Sequence, residues 1–422
     1  MTAPDQTSAA GLEQWRKAAA KEAQGDLSRL VWRPDTGVEI QALCTRADLH
    51  DLAHHGELPG CAPYVRGSEA LQAPFALPLV VPEPRDLATI PAEVSLARSF
   101  LHLGAAFATP QALEALRAHC AQRGIAAREL RATLASNPGA QADQAAAWAR
   151  AAELLRYAAH HLPFVRTICI PSRDWQHRGA GPVSESACAL VAGIDVLRRL
   201  EPLGIAPELA ARHVAFRFAV RTEVPVEIAR LRIVRGLWAK IVRAFGVVHQ
   251  DALRMHLEAE TSPVTCTRQD PHTNLVRSTL QAFAAAAAGC ETLSVLPFDA
   301  RTHRWHELSA RLARNQQRIL EYEACLGRTA DPFGGSYAIE TLSDRLGRAI
   351  WGRLQQIERE GGLAKLDLAP ELAARQARLA SGEETLIGTT RQRAPDPATL
   401  PPLPEGPWHA SDAADRALEA GR

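Results

Sequence analysis

The chain is short of several things that specialised proteins use in quantity. Of its 48 basic side chains only Lys17, Lys21, Lys240 and Lys365 are lysine, and the rest are arginine. Those 48 face 47 acidic side chains. There is thus no basic excess of the kind that coats nucleic acid, and no acidic surplus of the kind that keeps a chain disordered. Aromatic residues are scarce, at 5%. No apolar run is long enough for a transmembrane helix. The start, Met1-Thr-Ala-Pro-Asp, leads into no apolar core, so it does not read as a secretory signal. A cytoplasmic location without membrane or nucleic-acid partners is expected. The eight cysteines form no CxxC pair and no Cys/His cluster at zinc spacing, which leaves them as reduced, packing residues and gives no metal site. No GxGxxG run follows a strand, which argues against a dinucleotide-binding sheet.

What the chain does have is a repeating order of apolar runs. Residues 9–24 have helical spacing, with Leu12, Trp15 and Ala19 on one side. Leu30-Val-Trp-Arg-Pro and the alternating Val38-Glu-Ile-Gln-Ala-Leu read as extended. Pro74-Phe-Ala-Leu-Pro-Leu-Val-Val-Pro fits a buried strand, and alanine- and leucine-rich stretches predict helices over about 91–106, 110–123 and 126–160. From residue 163 strands at 165–170, 213–220, 255–261 and 291–296 alternate with helices at 183–201, 225–245, 273–288 and 305–324. Four such βα units predict a parallel sheet closed into a (β/α) barrel. The last stretch, about 393–422, is too rich in proline to continue a helix and reads as a surface tail or an arm reaching a neighbour.

Several ordered motifs resemble one family. They are Arg221-Thr-Glu-Val-Pro-Val-Glu-Ile-Ala-Arg-Leu-Arg-Ile-Val-Arg-Gly-Leu-Trp-Ala, then Arg268-Gln-Asp-Pro-His-Thr-Asn-Leu-Val-Arg-Ser-Thr, and Glu291-Thr-Leu-Ser-Val-Leu-Pro-Phe-Asp. Ser309-Ala-Arg-Leu-Ala-Arg-Asn-Gln-Gln, Asp331-Pro-Phe-Gly-Gly-Ser-Tyr with Glu340 behind it, and Ser381-Gly-Glu-Glu-Thr-Leu-Ile-Gly continue the series. Leu58-Pro-Gly-Cys-Ala-Pro-Tyr-Val-Arg-Gly stands at the entry. Together they resemble the methylmalonyl-CoA mutase family over about 163–392 and about 30–67. The resemblance implies a TIM barrel in which an adenosylcobalamin radical moves a carbon group within an acyl-CoA. It also implies three parts: an N-terminal arm over 1–57, a trimmed mutase-type barrel over 58–392, and a proline-rich tail over 393–422.

The departures fall where that chemistry would sit. Counting from Arg66-Gly67, the family's tyrosine position holds Ala73. The family's thioester-binding histidine position, anchored by Gln176, Gly179, Ala180 and Glu185, holds Asp174, which as a carboxylate cannot donate to a carbonyl oxygen. His177 lies three residues on and is not equivalent. Asp299 leads into the bulky Ala300-Arg-Thr-His-Arg-Trp-His, where the family has small residues beside the corrin. Residues 68–162 are shorter than the family pattern by one or two barrel units, and the arginine that grips the substrate carboxylate has no counterpart. A cobalamin domain would need about 130 further residues, a typical small α/β domain. Asp270-Pro-His272 imitates its lower-ligand motif, but Leu275 stands where glycine belongs.

The remaining features have plain readings. The Asp331 loop, with Gly334-Gly335, is a structural turn before it is a ligand loop. Arg221, Arg230, Arg232 and Arg235 could grip phosphates, yet solvated or interface ion pairs fit them better. His54-His55 and His303 with His306 lack a third ligand. The residues therefore predict no catalytic group on this chain, with Asp174, Gln176, His177 and Asp299 as remnants of a site. The implied role is that of a small chain supporting a large, cobalamin-carrying mutase chain, with adenosylcobalamin bound only through that partner and acyl-CoA as a candidate ligand. Two alternatives stay open: a catalytic barrel whose cobalamin domain is a separate polypeptide, and a diverged acyl-CoA-binding barrel with new chemistry around Asp174 and His177.

Overall fold

The computed structural model describes residues 6–34, 36–52, 56–70, 75–91, 94–97, 99–302 and 307–392. Its centre is a ring of short parallel strands: β1 (Pro78–Val81), β2 (Phe100–Leu103), β3 (Arg131–Leu134), β4 (Val165–Arg166), β5 (Ile168–Pro171), β6 (Val214–Val220), β7 (His256–Thr261) and β8 (Thr292–Ser294). They pair in chain order as β1-β2-β3-β4 and β5-β6-β7-β8. Only Thr167 separates β4 from β5, and the amides of Thr167 and Ile168 both reach the His213 carbonyl, so the two behave as one stave. The ring closes through Ala76, which bridges Thr292: its amide donates to the Glu291 carbonyl at 2.9 Å and its carbonyl accepts from Leu293 at 3.1 Å. The result, among the described residues, is a TIM-type barrel trimmed to seven staves.

The helices surround the ring in chain order. They are α1 (Gln6–Glu22), α2 (Pro110–Gln122), α3 (Gln144–His161), α4 (Arg173–His177), α5 (Pro182–Leu200), α6 (Pro207–Arg212), α7 (Val224–Ala244), α8 (Gln250–Leu253), α9 (Asn274–Ala287), α10 (Glu307–Arg318), α11 (Tyr337–Arg359) and α12 (Ala369–Ser381). A single π turn, Ile319–Glu323, extends α10. Capping is local and legible: Thr109 accepts from Ala112 N at 3.2 Å and Pro110 opens α2. Ser336 caps α11 in the same manner.

The sequence predicts helix over 91–106 and 126–160, and here the structure differs. Each stretch holds a four-residue barrel strand, Phe100-Leu-His-Leu and Arg131-Ala-Thr-Leu. Alanine and leucine favour helix in isolation, but a strand pinned between two neighbours takes its conformation from that pairing. The extended reading of 30–43 shrinks to one antiparallel bridge, Trp32 with Ile40. The tail over 393–422, Ala73, His54-His55 and His303 with His306 lie outside the described residues.

Outward residues of the strands make the core. Phe216 and Phe218 of β6 face the helix layer, and Phe216 meets Trp238 of α7 edge-on at 4.8 Å. Gly193 of α5 allows that contact, since a Cβ there would lie 2.6 Å from Trp238 and 2.8 Å from Phe216. A second apolar cluster, with Leu101, Leu103, Leu113, Leu116 and Leu154, joins β2 to α2 and α3. Gly193→Val should therefore overpack the α5–α7 seam and lower stability by about 1–3 kcal/mol. A urea midpoint unchanged from wild type would contradict that seam.

Candidate functional site

Side chains alternate across a strand, so the residues between the core positions of β6 and β7 point into the barrel. Those residues are charged: Arg217 on β6, then His256, Glu258 and Glu260 on β7, with His102 arriving from β2 and Arg166 from β4. At mid-height they lock together. Glu258 Oε2 accepts from Arg217 Nε at 2.8 Å, and Arg217 Nη2 lies 2.7 Å from the same oxygen in the ion pair. His102 Nε2 lies 3.2 Å from the same oxygen, and His256 Nε2 lies 3.4 Å from the other. Phe100 closes the lower side, stacked on His256 at 5.5 Å and edge-on to His102 at 5.8 Å.

The electrostatics follow from burial. Desolvation pushes His256 down to about 4, with Arg166 adding to the effect and Glu258 opposing it. Burial and the Arg217 charge likewise lower His102. Glu258 is held well below the usual carboxylate range, because Arg217 and the two histidines outweigh its own burial. Burial also pushes the neighbouring Cys169 thiol up to about 12, far from a reactive thiolate. The axis of the barrel is thus filled by a paired ionic plug. Below it, at the N-terminal mouth, a cavity of about 850 Å³ opens among Arg131, Phe164, Arg166, Arg254, His256 and Glu291.

The C-terminal rim holds the residues singled out from the sequence. Asp174 sits exposed on α4, where crowding raises its carboxyl pKa, Arg173 opposes the shift and Glu260 adds to it. Gln176 is fully buried and committed: its Nε2 donates to Glu185 Oε2 at 3.1 Å and to the Ala219 carbonyl at 3.3 Å, and its Oε1 accepts from Ser262. It ties α4, α5, β6 and the end of β7 together as a strut. His177 is half-buried at the end of α4. Asp299 is buried after β8, and its carbonyl accepts from Thr302 N at 2.8 Å and Oγ1 at 2.7 Å. No contact joins Asp174 to His177 or to Asp299 in an acid–base pair among the described residues.

Neither phosphate grip nor solvated pairing describes Arg221, just after β6, or Arg230, Arg232 and Arg235 of α7, because all four are buried. Arg230 donates to Glu227, to Glu185 at 3.3 Å and to the Ala219 carbonyl at 3.1 Å. Arg232 makes fork contacts at 2.8 Å with both oxygens of Asp331 and reaches Glu340 at 2.8 Å. Asp331 also accepts from Arg66 at 2.9 Å, so it clips the entry loop to α7 and α11. Asp331 itself adopts φ 47°, and a Cβ at Gly334 would strike its carboxylate and Arg66. The loop is the structural turn that the sequence favours.

The lower-ligand imitation resolves in the same way. Asp270 caps the turn into α9 by accepting from Thr273, and His272 stacks on Phe298 at 5.2 Å.

The geometry can be set beside known proteins. The profile of the family described as Methylmalonyl-CoA mutase matches residues 83–412. This chain belongs to the methylmalonyl-CoA mutase family. It is 34% identical over 299 residues to a methylmalonyl-CoA mutase small subunit of Streptomyces virginiae, covering 66% of this chain and 48% of that one. A small subunit of Porphyromonas gingivalis is 34% identical over 49% of this chain and 34% of its own length. A methylmalonyl-CoA mutase large subunit of Propionibacterium freudenreichii is 32% identical over 57% of this chain and 34% of its own length. The chain thus spans about half or less of these relatives.

The plug was missed at the level of sequence, although a signal for it exists. Phe216-Arg-Phe and His256-Leu-Glu-Ala-Glu place charges at alternate positions of strands whose other face is core, and such strands normally read as continuous apolar runs. Below about pH 6.5 an unfolded histidine takes up a proton that buried His256 refuses until about pH 4. Stability should therefore fall as pH drops from 6.5 to 4, by about 3 kcal/mol for this group. Chemical denaturation across that range should show His256→Gln with a flatter profile; an equally steep one would remove His256 from the account.

Proposed function

We propose that this chain is the small, non-catalytic subunit of a methylmalonyl-CoA mutase-type isomerase. Its task is to support a large chain that binds acyl-CoA and adenosylcobalamin. The observation that carries this reading is the plug of Arg217, Glu258, His102 and His256, which occupies the axis an acyl-CoA would thread. Opening it would strand a buried charge, which costs about 3–5 kcal/mol when one partner of such a pair is lost.

Two further observations support the reading. Carbon-skeleton rearrangement needs a cofactor to carry the radical step, and Asp270 and His272 are engaged elsewhere. The thioester needs a donor at its oxygen, and the position facing it bears Asp174, an acceptor when ionised. No helix among the described residues is long and apolar enough to cross a membrane. What the chain keeps is a closed barrel whose axis is crossed by buried ion pairs.

The experiment is reconstitution. This chain, purified alone and given adenosylcobalamin, should not interconvert methylmalonyl-CoA and succinyl-CoA. Co-expressed with a mutase large chain, it should co-purify with it in equal amounts and restore turnover. Turnover by this chain alone would overturn the non-catalytic role, and failure to co-purify with any mutase-family chain would overturn the subunit role.

A further inference from the structure

Helices α9 and α10 meet where Gln316 Nε2 donates to the Leu275 carbonyl and to the hydroxyls of Ser278 and Thr279, each at 2.8 Å. Around this junction the apolar side chains are not inside. Val276 and Leu280 of α9, Leu308 of α10, and Ile319 and Tyr322 of the π turn are all exposed, Val276 and Tyr322 at 62% each. Single exposed apolar residues are ordinary, but five spread over two touching helices and the π turn that follows offer the kind of surface that marks a contact. The patch has a basic edge. Arg311, Arg314 and Arg318 are exposed and carry no ion pair among the described residues.

The chain itself leads to this patch. Arg277 of α9 donates to the Ile387 carbonyl at 2.5 Å, Thr389 Oγ1 lies 3.2 Å from Gln269 Oε1, and Gly388 packs on Asp270. Residues 387–392 are therefore held at the N-terminal end of α9, beside the exposed seam. The sequence that follows has the complementary chemistry. Residues 405–419 carry Glu405, Asp412, Asp415 and Glu419 against Arg416 alone, with Trp408 and Leu418 as apolar anchors. From residue 393 to 408 an extended chain reaches up to about 50 Å, ample for any point of the seam.

We infer that the segment from Trp408 to Glu419 docks on the α9–α10 seam of its own chain. Trp408 and Leu418 cover the apolar patch, and the carboxylates meet the three arginines. An acidic segment on an apolar groove with a basic rim is a known mode of recognition; the tether makes it intramolecular and raises its effective concentration.

The test uses the full chain with Trp408 replaced by the photocrosslinker p-benzoylphenylalanine. Irradiation of dilute protein should give an adduct at the mass of one chain, mapping by mass spectrometry to α9, α10 or the π turn. The triple variant Arg311→Glu, Arg314→Glu, Arg318→Glu should keep the wild-type melting temperature while losing about tenfold in adduct yield, as three exposed ion pairs would give. Adducts at the mass of two chains, adducts mapping elsewhere on the barrel, or no adduct at all would each overturn the assignment. A yield insensitive to the arginine changes would overturn its electrostatic part.

Discussion

Glu258 is the group on which the barrel interior depends. A carboxylate on the axis of a ring of strands has no water to turn to, and its isolated burial would be prohibitive. Arg217 answers it from the next strand with an Nε hydrogen bond and the charge of its guanidinium, and His102 and His256 complete the shell. The four residues come from three staves of the ring, so the interaction fixes the register of β2, β6 and β7 toward one another. A barrel meant to admit a long ligand needs small, uncommitted groups there. This one has large groups there, held against one another by ion pairs that cross three staves.

The helix layer repeats the same solution on the outside of the ring. Arg230 bonds carboxylates from α5 and α7 and a carbonyl at the end of β6, and Arg232 joins α7 to α11 through Glu340 and to the entry loop through Asp331. Arginine suits such places because its charge persists and its planar fork meets carboxylates in pairs. Ion pairs of this sort add little net stability over an apolar core, but removing one partner is costly. They make the arrangement of helices hard to alter.

Family membership, the parallel βα order from 163 onward and the structural nature of the Asp331 turn were all legible in the residues. The second and third staves were not, because Phe100-Leu-His-Leu and Arg131-Ala-Thr-Leu are too short and too rich in helix-forming neighbours to show a period. The α7 arginines were misjudged for a related reason: spacing along a helix says which face a side chain shares, and says nothing of what packs on that face. Gln176 looked like part of a site because it stands beside Asp174, and only its three bonds identify it as a strut.

The sequence by itself determined the chemistry available at each position: a carboxylate at Asp174, Arg217 between the phenylalanines of β6, and ionisable groups at alternate positions of β7. Tertiary structure alone decided that Arg217, Glu258, His102 and His256 meet. They lie up to 156 positions apart along the chain, and only ring closure through Ala76 and Thr292 brings their strands around one axis. It also decided that seven staves suffice, because closure depends on the tilt and stagger of neighbouring strands. Those are properties of pairing between distant segments, and no local run of residues encodes them.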